Sequence, residues 1–339
     1  MENRLNKIFF VLPIIVVMLS SCSAWVEPEA LDYGTHGVIG EKSQDYLSAL
    51  RAFKQTDHKV MILRMPGTSS IPESRNQHIM TMPDSADFIC VEISNALYPD
   101  FVAEISQVKS DKGTRCVSYV DFNAIQEVWN EQEEAKGDGQ VAGTVDDFVE
   151  FCAEQTRIQL GYCDSYGFDG IMFSFQGNIS SEMAAAGQKV FLESVQEWRM
   201  THQNAWMFAR GSLSNISDDY KDILFDCDYT VLVSSSESSA GQLNTMVNRF
   251  IRNGDVPSDR IVVEVSVPSE ENPAPACATP QTAAEWIVEP TEAYVKCGIC
   301  VGNAQDDYLV DTTFGNIRKA ISILNGNGSQ DPEEPDTNL

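Results

Sequence analysis

One stretch of the sequence carries side chains at a spacing that could do chemistry. Residues 166–177 read Tyr-Gly-Phe-Asp-Gly-Ile-Met-Phe-Ser-Phe-Gln-Gly, and the glycines near the two ends predict one buried strand over 168–176. Side chains alternate along a strand, so one face would pack helices with Ile and Phe residues. The other face is small and mixed in polarity, as expected inside a closed barrel: Gly170, Met172, Ser174 and Gln176. Gln176 can donate and accept hydrogen bonds, but it carries no titratable proton.

This stretch resembles the active-site strand of family-18 glycoside hydrolases, the chitinases and endo-β-N-acetylglucosaminidases. The family pattern is Asp-Gly-x-Asp-x-Asp-x-Glu on the fourth strand of a (β/α)8 barrel. Aligned without gaps, its first Asp corresponds to Asp169 and its second to Met172. Its third Asp corresponds to Ser174, and its catalytic Glu to Gln176. The resemblance implies an α/β fold, a single (β/α)8 TIM barrel. It also implies that the site keeps the first Asp and has lost the second Asp, the third Asp and the catalytic Glu.

The replaced residues are those that carry the reaction in that family. There the Glu protonates the glycosidic oxygen, and the substrate's own 2-acetamido group is the nucleophile, oriented by the third Asp. Gln176 cannot act as a general acid, and Ser174 cannot stabilise a developing positive charge as a carboxylate would. The family also has Met-x-Tyr-Asp at the end of strand six, where this chain places Ser234 or Ser235. The resemblance therefore implies a barrel that holds a glycan without cutting it.

The remaining elements must position this strand. Strand-like and helix-like segments alternate over 41–326, the length of one barrel domain. Eight predicted strands would close the barrel: 59–65, 87–94, 115–122, 168–176, 206–210, 229–234, 260–267 and 295–302. Helices are predicted at 43–54, 144–165, 181–201, 241–252, 279–289 and 313–324. Segment 123–143 is interpreted either as a helix packed by Ile125, Val128 and Trp129 or as a binding lid.

Ligands of such barrels bind where the strands end. The residues predicted to line that site are Gln176, Ser174, Asp121, Ser235, Glu264, Asn303, Asp307 and Tyr308. Glu264 would lie inside the barrel, where a carboxylate must be paired to be tolerated. It is therefore interpreted either as a sugar ligand or as the partner of Arg64 or another interior group.

The first residues of the sequence predict that the protein is located in the cell envelope. Arg4 and Lys7 precede a short apolar run over 8–19 that ends at Leu-Ser-Ser-Cys22, a secretory signal rather than a transmembrane span. The last four residues resemble a bacterial lipobox, which implies that Cys22 is lipidated. We therefore expect a leader at 1–21, a tether at 22–40 and a disordered acidic tail at 327–339. The expected location is the outer membrane.

The net charge of −27 argues against nucleic acids and anionic lipid surfaces as partners and fits a neutral ligand such as a sugar. The chain has nine cysteines, and six of them are predicted to be small core residues: Cys90, Cys116, Cys227 and Cys297 in apolar strand runs and Cys152 and Cys163 on a helical pattern. Cys297 and Cys300 have CxxC spacing, but regular alternation would point their thiols to opposite faces of a strand. No zinc site is completed, and we expect neither a metal nor another cofactor.

Three hypotheses follow. The first is a non-catalytic lipoprotein that captures oligosaccharides, and the resemblance implies N-acetylglucosamine-containing glycans and an outer-membrane glycan importer as partner. The second is an enzyme with relocated carboxylates, which requires two of them to face each other at roughly 5–10 Å across the cleft. The candidates are Glu92, Asp121, Glu264, Asp306 and Asp307. The third is a structural or partner-binding subunit, which expects a blocked mouth without an aromatic platform.

Overall fold

The computed structural model describes residues 42–137, 141–309 and 312–326, so the predicted leader, tether and tail lie outside the described residues. Eight parallel strands close into a barrel in sequence order. They are β1 Val60–Pro66, β2 Phe88–Glu92, β3 Arg115–Asp121, β4 Gly170–Phe175, β5 Trp206–Gly211, β6 Tyr229–Val233, β7 Ile261–Val265 and β8 Lys296–Val301. The predicted TIM barrel is confirmed, with the strand that contains Met172 in fourth place.

Helices cover the outside of the barrel. They are α1 Gln44–Phe53, α2 Pro99–Lys112, α3 Phe122–Glu134, α4 Val145–Tyr166, α5 Glu182–Thr201, α6 Ala240–Ile251, α7 Pro280–Val288 and α8 Gly315–Leu324. Short 3-10 turns and no α-helix connect β1 to β2 and β5 to β6. In the described part of the chain, no helix has the length and apolar character needed to cross a membrane.

Helix α2 was not predicted from the sequence. Its buried residues Phe101, Ile105 and Val108 recur at helical spacing. However, Val102 and Ala103 dilute the contrast between its two faces, because both lie outside the buried stripe. Packing against the barrel, rather than a strong periodic pattern, therefore defines this helix.

Alternation along the strands sorts the side chains between two cores. The larger core lies between strands and helices and includes Ile171 and Phe173 of β4. The smaller core fills the barrel interior, where Met172 packs with its Sδ 3.8 Å from the Sγ of Cys90. Gly167 ends α4 with a positive φ of 72°, which an L side chain would strain, and so sets the entry into β4. The faces predicted for this strand are those observed.

Strand β8 departs from regular alternation. Its register to β7 shifts, because Ile261 pairs with Lys296 while Val262 pairs with Gly298. Cys297 is therefore an extra residue, and it packs on the same inner core as Cys300. The prediction that the two thiols point to opposite faces is wrong, since one inserted residue shifts the alternation by one. Cys297 is only half-buried, so it lies at the margin of the inner core and is not the fully enclosed core residue that was predicted.

Candidate functional site

The carboxyl ends of the strands enclose a layer of polar side chains above the apolar interior. Arg210 of β5 and Glu264 of β7 occupy its centre, and both are about 5% exposed or less. Arg64 of β1 and Glu92 of β2 lie at its edge. Two oppositely charged pairs in one mouth can remain folded because each charge has a partner.

Arg210 and Glu264 form a two-pronged ion pair. Arg210 Nε donates to Oε2 of Glu264 at 2.6 Å, and Nη2 donates to Oε1 at 2.6 Å. Burial by itself would raise the pKa of Glu264, but the guanidinium of Arg210, followed by that of Arg64, lowers it below its ordinary value. The same contacts raise the pKa of Arg210 against the opposing effect of burial. Glu264 is thus held as a carboxylate inside the barrel.

Arg64 extends this pair toward solvent. Its Nη1 donates to Oε1 of Glu92 at 2.5 Å, and its Nη2 donates to Oε1 of Glu264 at 3.3 Å. The guanidinium carbons of Arg64 and Arg210 lie 5.3 Å and 5.7 Å from the centre of the Tyr119 ring. The interpretation of Glu264 as the partner of an interior arginine therefore agrees with the structure, with Arg210 as its main partner.

The residues of β4 face this charged centre. Ser174 pairs in register with Arg210 on the neighbouring strand, and Arg210 Nη1 donates to Ser174 Oγ at 3.1 Å. The same nitrogen donates to Tyr119 Oη at 2.9 Å. With its amide oxygen toward Arg210, Gln176 accepts from Nη1 at 2.5 Å and from Nη2 at 3.1 Å. Ser174 and Gln176, which the sequence resemblance aligns with the family's third Asp and catalytic Glu, therefore both contact one arginine.

Asn123 fixes the backbone of Gln176. Its Nδ2 donates to the Gln176 carbonyl at 2.8 Å, and its Oδ1 accepts from the Gln176 N–H at 2.7 Å. Asp121 caps the first turn of α3 by accepting from the Asn123 N–H at 3.0 Å. Burial raises the pKa of Asp121, although that hydrogen bond lowers it. Asp121 is therefore a half-buried carboxyl group one strand away from Ser174.

Two other predicted ligand residues, Asn303 and Asp307, maintain loop structure. Asn303 Oδ1 accepts a hydrogen bond from the Val267 N–H at 2.9 Å, and Asn303 Nδ2 donates to the Val267 carbonyl at 3.0 Å. Asp307 is fully buried and accepts from Ile317 N at 2.8 Å and from Asn316 Nδ2 at 2.7 Å. Burial raises the pKa of Asp307. We correct its predicted role, because a side chain that closes the start of α8 cannot reach a ligand.

Tyr308 and Ser235 also lie outside the charged layer. The Tyr308 ring packs edge-on against Phe314, with ring centres 5.4 Å apart. Ser235 is exposed, and its N–H donates to Glu237 at 3.1 Å. The first acid of the motif, Asp169, lies at the opposite end of β4, where it pairs with Lys109 and accepts from Cys116 N. Asp169 therefore supports the end of the barrel away from the mouth, whereas Ser235 and Tyr308 follow the carboxyl ends of β6 and β8.

Segment 123–143 begins as helix α3, which favours the helix interpretation over the lid for its described residues. Trp129 is 8% exposed and packs against Phe148 and Phe151. Val128 is 42% exposed, so its predicted packing role is wrong. An indole buried beneath α4 offers no platform for a sugar.

Arg210, the residue at the centre of the site, was not predicted from the sequence to be a site residue. Arg210 is an arginine within a predicted strand, and its neighbours at alternate positions are apolar. This pattern indicates a charged side chain on the inner face of the barrel, which needs a partner. Glu264 shows the same pattern on its own strand. Asn123 and Tyr119 were also missed, because the contacts that make them important come from distant strands.

Comparisons with known proteins were made on the sequence and on the fold. A family model described as glycoside hydrolase family 18, BT1044-like, matches residues 27–323. The search of curated proteins gave no significant match. The apo endo-β-N-acetylglucosaminidase of Cordyceps militaris aligns with a TM-score of 0.61 and 14% identity, covering 84% of this chain and 97% of that one.

Two further solved structures share the fold. A selenomethionine form of BT1044, with one Glu replaced by Gln, aligns with a TM-score of 0.56 and 16% identity, over 84% of this chain and 92% of that one. A family-18 chitinase of Pseudoalteromonas aurantia aligns with a TM-score of 0.51 and 10% identity, over 78% and 99%. Identities this low establish the common barrel, while the match of the family model spans most of the sequence.

Proposed function

Because the chain belongs to glycoside hydrolase family 18, in its BT1044-like group, we propose that it binds a glycan at the mouth of the barrel without hydrolysing it. The observation that carries this proposal is the contact between Arg210 and Gln176. The position of the family's proton donor holds an amide whose oxygen is occupied by a guanidinium. Neither group has a proton to transfer at neutral pH, since an arginine stays charged and an amide does not titrate.

Glu264, the carboxylate at the centre of the site, does not replace the missing acid. Glu264 accepts both prongs of Arg210, and its lowered pKa keeps it ionised. An ionised, buried and doubly paired carboxylate is a poor proton donor. The network neutralises the buried charges of the barrel, and it provides no proton donor.

The proposed ligand class is an N-acetylglucosamine-containing oligosaccharide. Support comes from a variant of the Cordyceps militaris enzyme in which an Asp and a Glu two positions apart are changed to amides; its structure contains fucosyl-N-acetylglucosamine-Asn. In that protein, therefore, two amides are compatible with a bound glycan. Gln176 provides such an amide naturally in this chain, and Asp121 and Glu92 add acceptors at the rim.

We place this function in the cell envelope as part of the same proposal. The lipobox at Cys22 supports a lipid anchor, and the outer membrane is the proposed site. An outer-membrane glycan importer is the proposed partner. The net charge of −27 on the whole chain fits a neutral ligand such as a sugar.

Asp121 favours a second candidate, an enzyme with relocated carboxylates. Burial raises its pKa, which is the direction that a general acid requires. Glu92 is the other candidate, since it is paired with Arg64 but 35% of its side chain is exposed. The other relocated candidates are engaged, since Glu264 is paired with arginine, Asp307 caps α8 and Asp306 bonds Asn303.

The filled centre favours a third candidate, a partner-binding subunit. Buried Arg210, Glu264 and Ser174 occupy the middle of the mouth, and Trp129 offers no platform. This candidate predicts that the mouth binds no glycan.

The test combines binding with turnover on the soluble body beginning near Glu27. We expect a glycan array to show binding of N-acetylglucosamine-containing oligosaccharides and product analysis to show no cleavage. Gln176→Ala should weaken binding, whereas Gln203→Ala, an exposed change at the opposite end of the barrel, should not. Cleavage that disappears in Asp121→Asn would establish the second candidate, and an array without any binding would favour the third.

A further inference from the structure

We infer that Arg210 is a positioning residue that makes Gln176 a hydrogen-bond donor toward the ligand, so that the ligand must present an acceptor oxygen there. This inference rests on the proposed function and specifies which chemical group that site selects. It begins with the orientation of one amide. An amide offers an acceptor oxygen at one end and two N–H donors at the other.

The surroundings of Arg210 determine which end of Gln176 faces it. Arginine has five N–H donors and no acceptor, so only an amide oxygen can face the guanidinium favourably. In that orientation the oxygen lies 2.5 Å from Nη1 and 3.1 Å from Nη2. The opposite orientation would place N–H groups against N–H groups. The Gln176 NH2 group is consequently turned away from Arg210.

Arg210 itself cannot turn to serve a ligand. Nε and Nη2 are held by Glu264 at 2.6 Å each. Nη1 meets Tyr119 at 2.9 Å and Ser174 at 3.1 Å. Every nitrogen of the guanidinium is therefore engaged by the protein, and Arg210 as a whole is 5% exposed. A guanidinium fixed in this way imposes its polarity on Gln176 permanently.

The backbone of Gln176 is fixed as well. Its N–H donates to Asn123 Oδ1 at 2.7 Å, and its carbonyl accepts from Asn123 Nδ2 at 2.8 Å. Gln176 remains half-buried, whereas Ser174 beneath it is fully buried. Of the two residues in and directly after β4 that contact Arg210, Ser174 and Gln176, only Gln176 is therefore accessible to a ligand. A ligand oxygen that meets its NH2 group would be a hydroxyl, carbonyl, glycosidic or carboxylate oxygen.

The first test needs no ligand. In Gln176→Glu, one carboxyl oxygen should replace the amide oxygen against Arg210, and the pKa of that carboxyl should lie below the ordinary value of about 4.3. Carbon-13 NMR titration measures it. The same substitution in an Arg210→Met, Glu264→Gln background should titrate at higher pH, because burial then acts without the guanidinium. A carboxyl that titrates at or above about 4.3 in the presence of Arg210 would overturn the inference.

The second test measures binding of an N-acetylglucosamine tetramer by calorimetry. Gln176→Met removes the donors and Gln176→Glu replaces them with an acceptor, so both should weaken binding by roughly five- to tenfold. Equal affinity of wild type and Gln176→Glu would refute the donor role. If the wild-type chain does not bind the tetramer, the proposed ligand class fails, while the titration still tests the contact between position 176 and Arg210 on which the inference rests.

Discussion

Arg210 on β5 and Glu264 on β7 face each other inside the barrel through two hydrogen bonds of 2.6 Å. The strand between them, β6, places Val231 and no charge at that level of the interior. The pair therefore bridges two strands that are not neighbours. It also holds Ser174, Tyr119 and Gln176 through the remaining guanidinium hydrogens. One ion pair thus unites β3, β4, β5 and β7 at the mouth.

Breaking this pair on one side should be costly. We expect Arg210→Met to lower the free energy of unfolding by about 3–5 kcal/mol, because Glu264 would remain buried with its main partner removed. The double variant Arg210→Met, Glu264→Gln should lose less, since it buries no unpaired carboxylate. Urea unfolding measures both. A single variant as stable as wild type would show that Arg64 alone can neutralise Glu264.

Restoring the family's acids should not restore its activity. Gln176→Glu alone should give no detectable hydrolysis of the N-acetylglucosamine tetramer, because Arg210 keeps the new carboxyl ionised. Adding Met172→Asp and Ser174→Asp should give a trace of activity at most. It should also lower the free energy of unfolding by several kcal/mol, since Met172 is fully buried beside Cys90. Chromatography of products and urea unfolding check both expectations.

Hydrolysis by Gln176→Glu at a rate well above that of wild type would contradict this account. The matched control is Gln176→Met, which has similar volume and no titratable group. Activity present in the Glu variant and absent in the Met variant would mean that Arg210 does not hold the carboxyl as its conjugate base.

Stability should depend on pH through His58. Its Nε2 lies 2.8 Å from Asp87 Oδ1 and its Nδ1 lies 2.8 Å from the Thr56 carbonyl. The hydrogen bond to Asp87 raises the pKa of His58 above 6.5, although burial lowers it. A raised folded-state pKa means that this stabilisation is fully present below about pH 6.5 and is lost as the pH rises through the folded value.

His58→Gln tests that dependence. We expect the variant to be less stable than wild type at pH 5.5 and the difference to narrow toward pH 8.5, because neutral His58 loses the ionic part of its contact with Asp87. Thermal unfolding at a series of pH values measures it. A difference that widens with rising pH would have the wrong sign for a protonated His58 and would refute this assignment.

Lipidation of Cys22 stays a prediction of the sequence. We expect the mature wild-type chain to begin at a diacylated Cys22 and to sediment with membranes, because the apolar run before it ends in a lipobox. Cys22→Ala should release the protein or leave the precursor uncleaved. Mass spectrometry of the N-terminal peptide decides between these states, and an unmodified Cys22 in a soluble wild-type protein would refute the anchor.

The sequence predicted much of the barrel, because strand periodicity is local. Each strand is recognisable within its own residues, and the two-residue alternation identifies Met172, Ser174 and Gln176 as one face. The start of α4 was equally local, since Thr144 and Asp147 form a capping box within four residues. Helix α2 was not predicted, because its hydrophobic pattern is weak. Burial of Phe101, Ile105 and Val108 against the barrel defines this helix better than that pattern does.

The sequence by itself predicted, from the resemblance, that Gln176 occupies the position of the family's catalytic acid, and it determined that this side chain has no titratable proton. Only the tertiary structure decided what Gln176 contacts. Arg210 and Glu264 stand 54 residues apart, and closure of the barrel brings them together. It also decided the position of Cys297, because the bulge arises from pairing with β7. Contacts between distant strands depend on the register and closure of the whole sheet, which the residues of one strand do not encode.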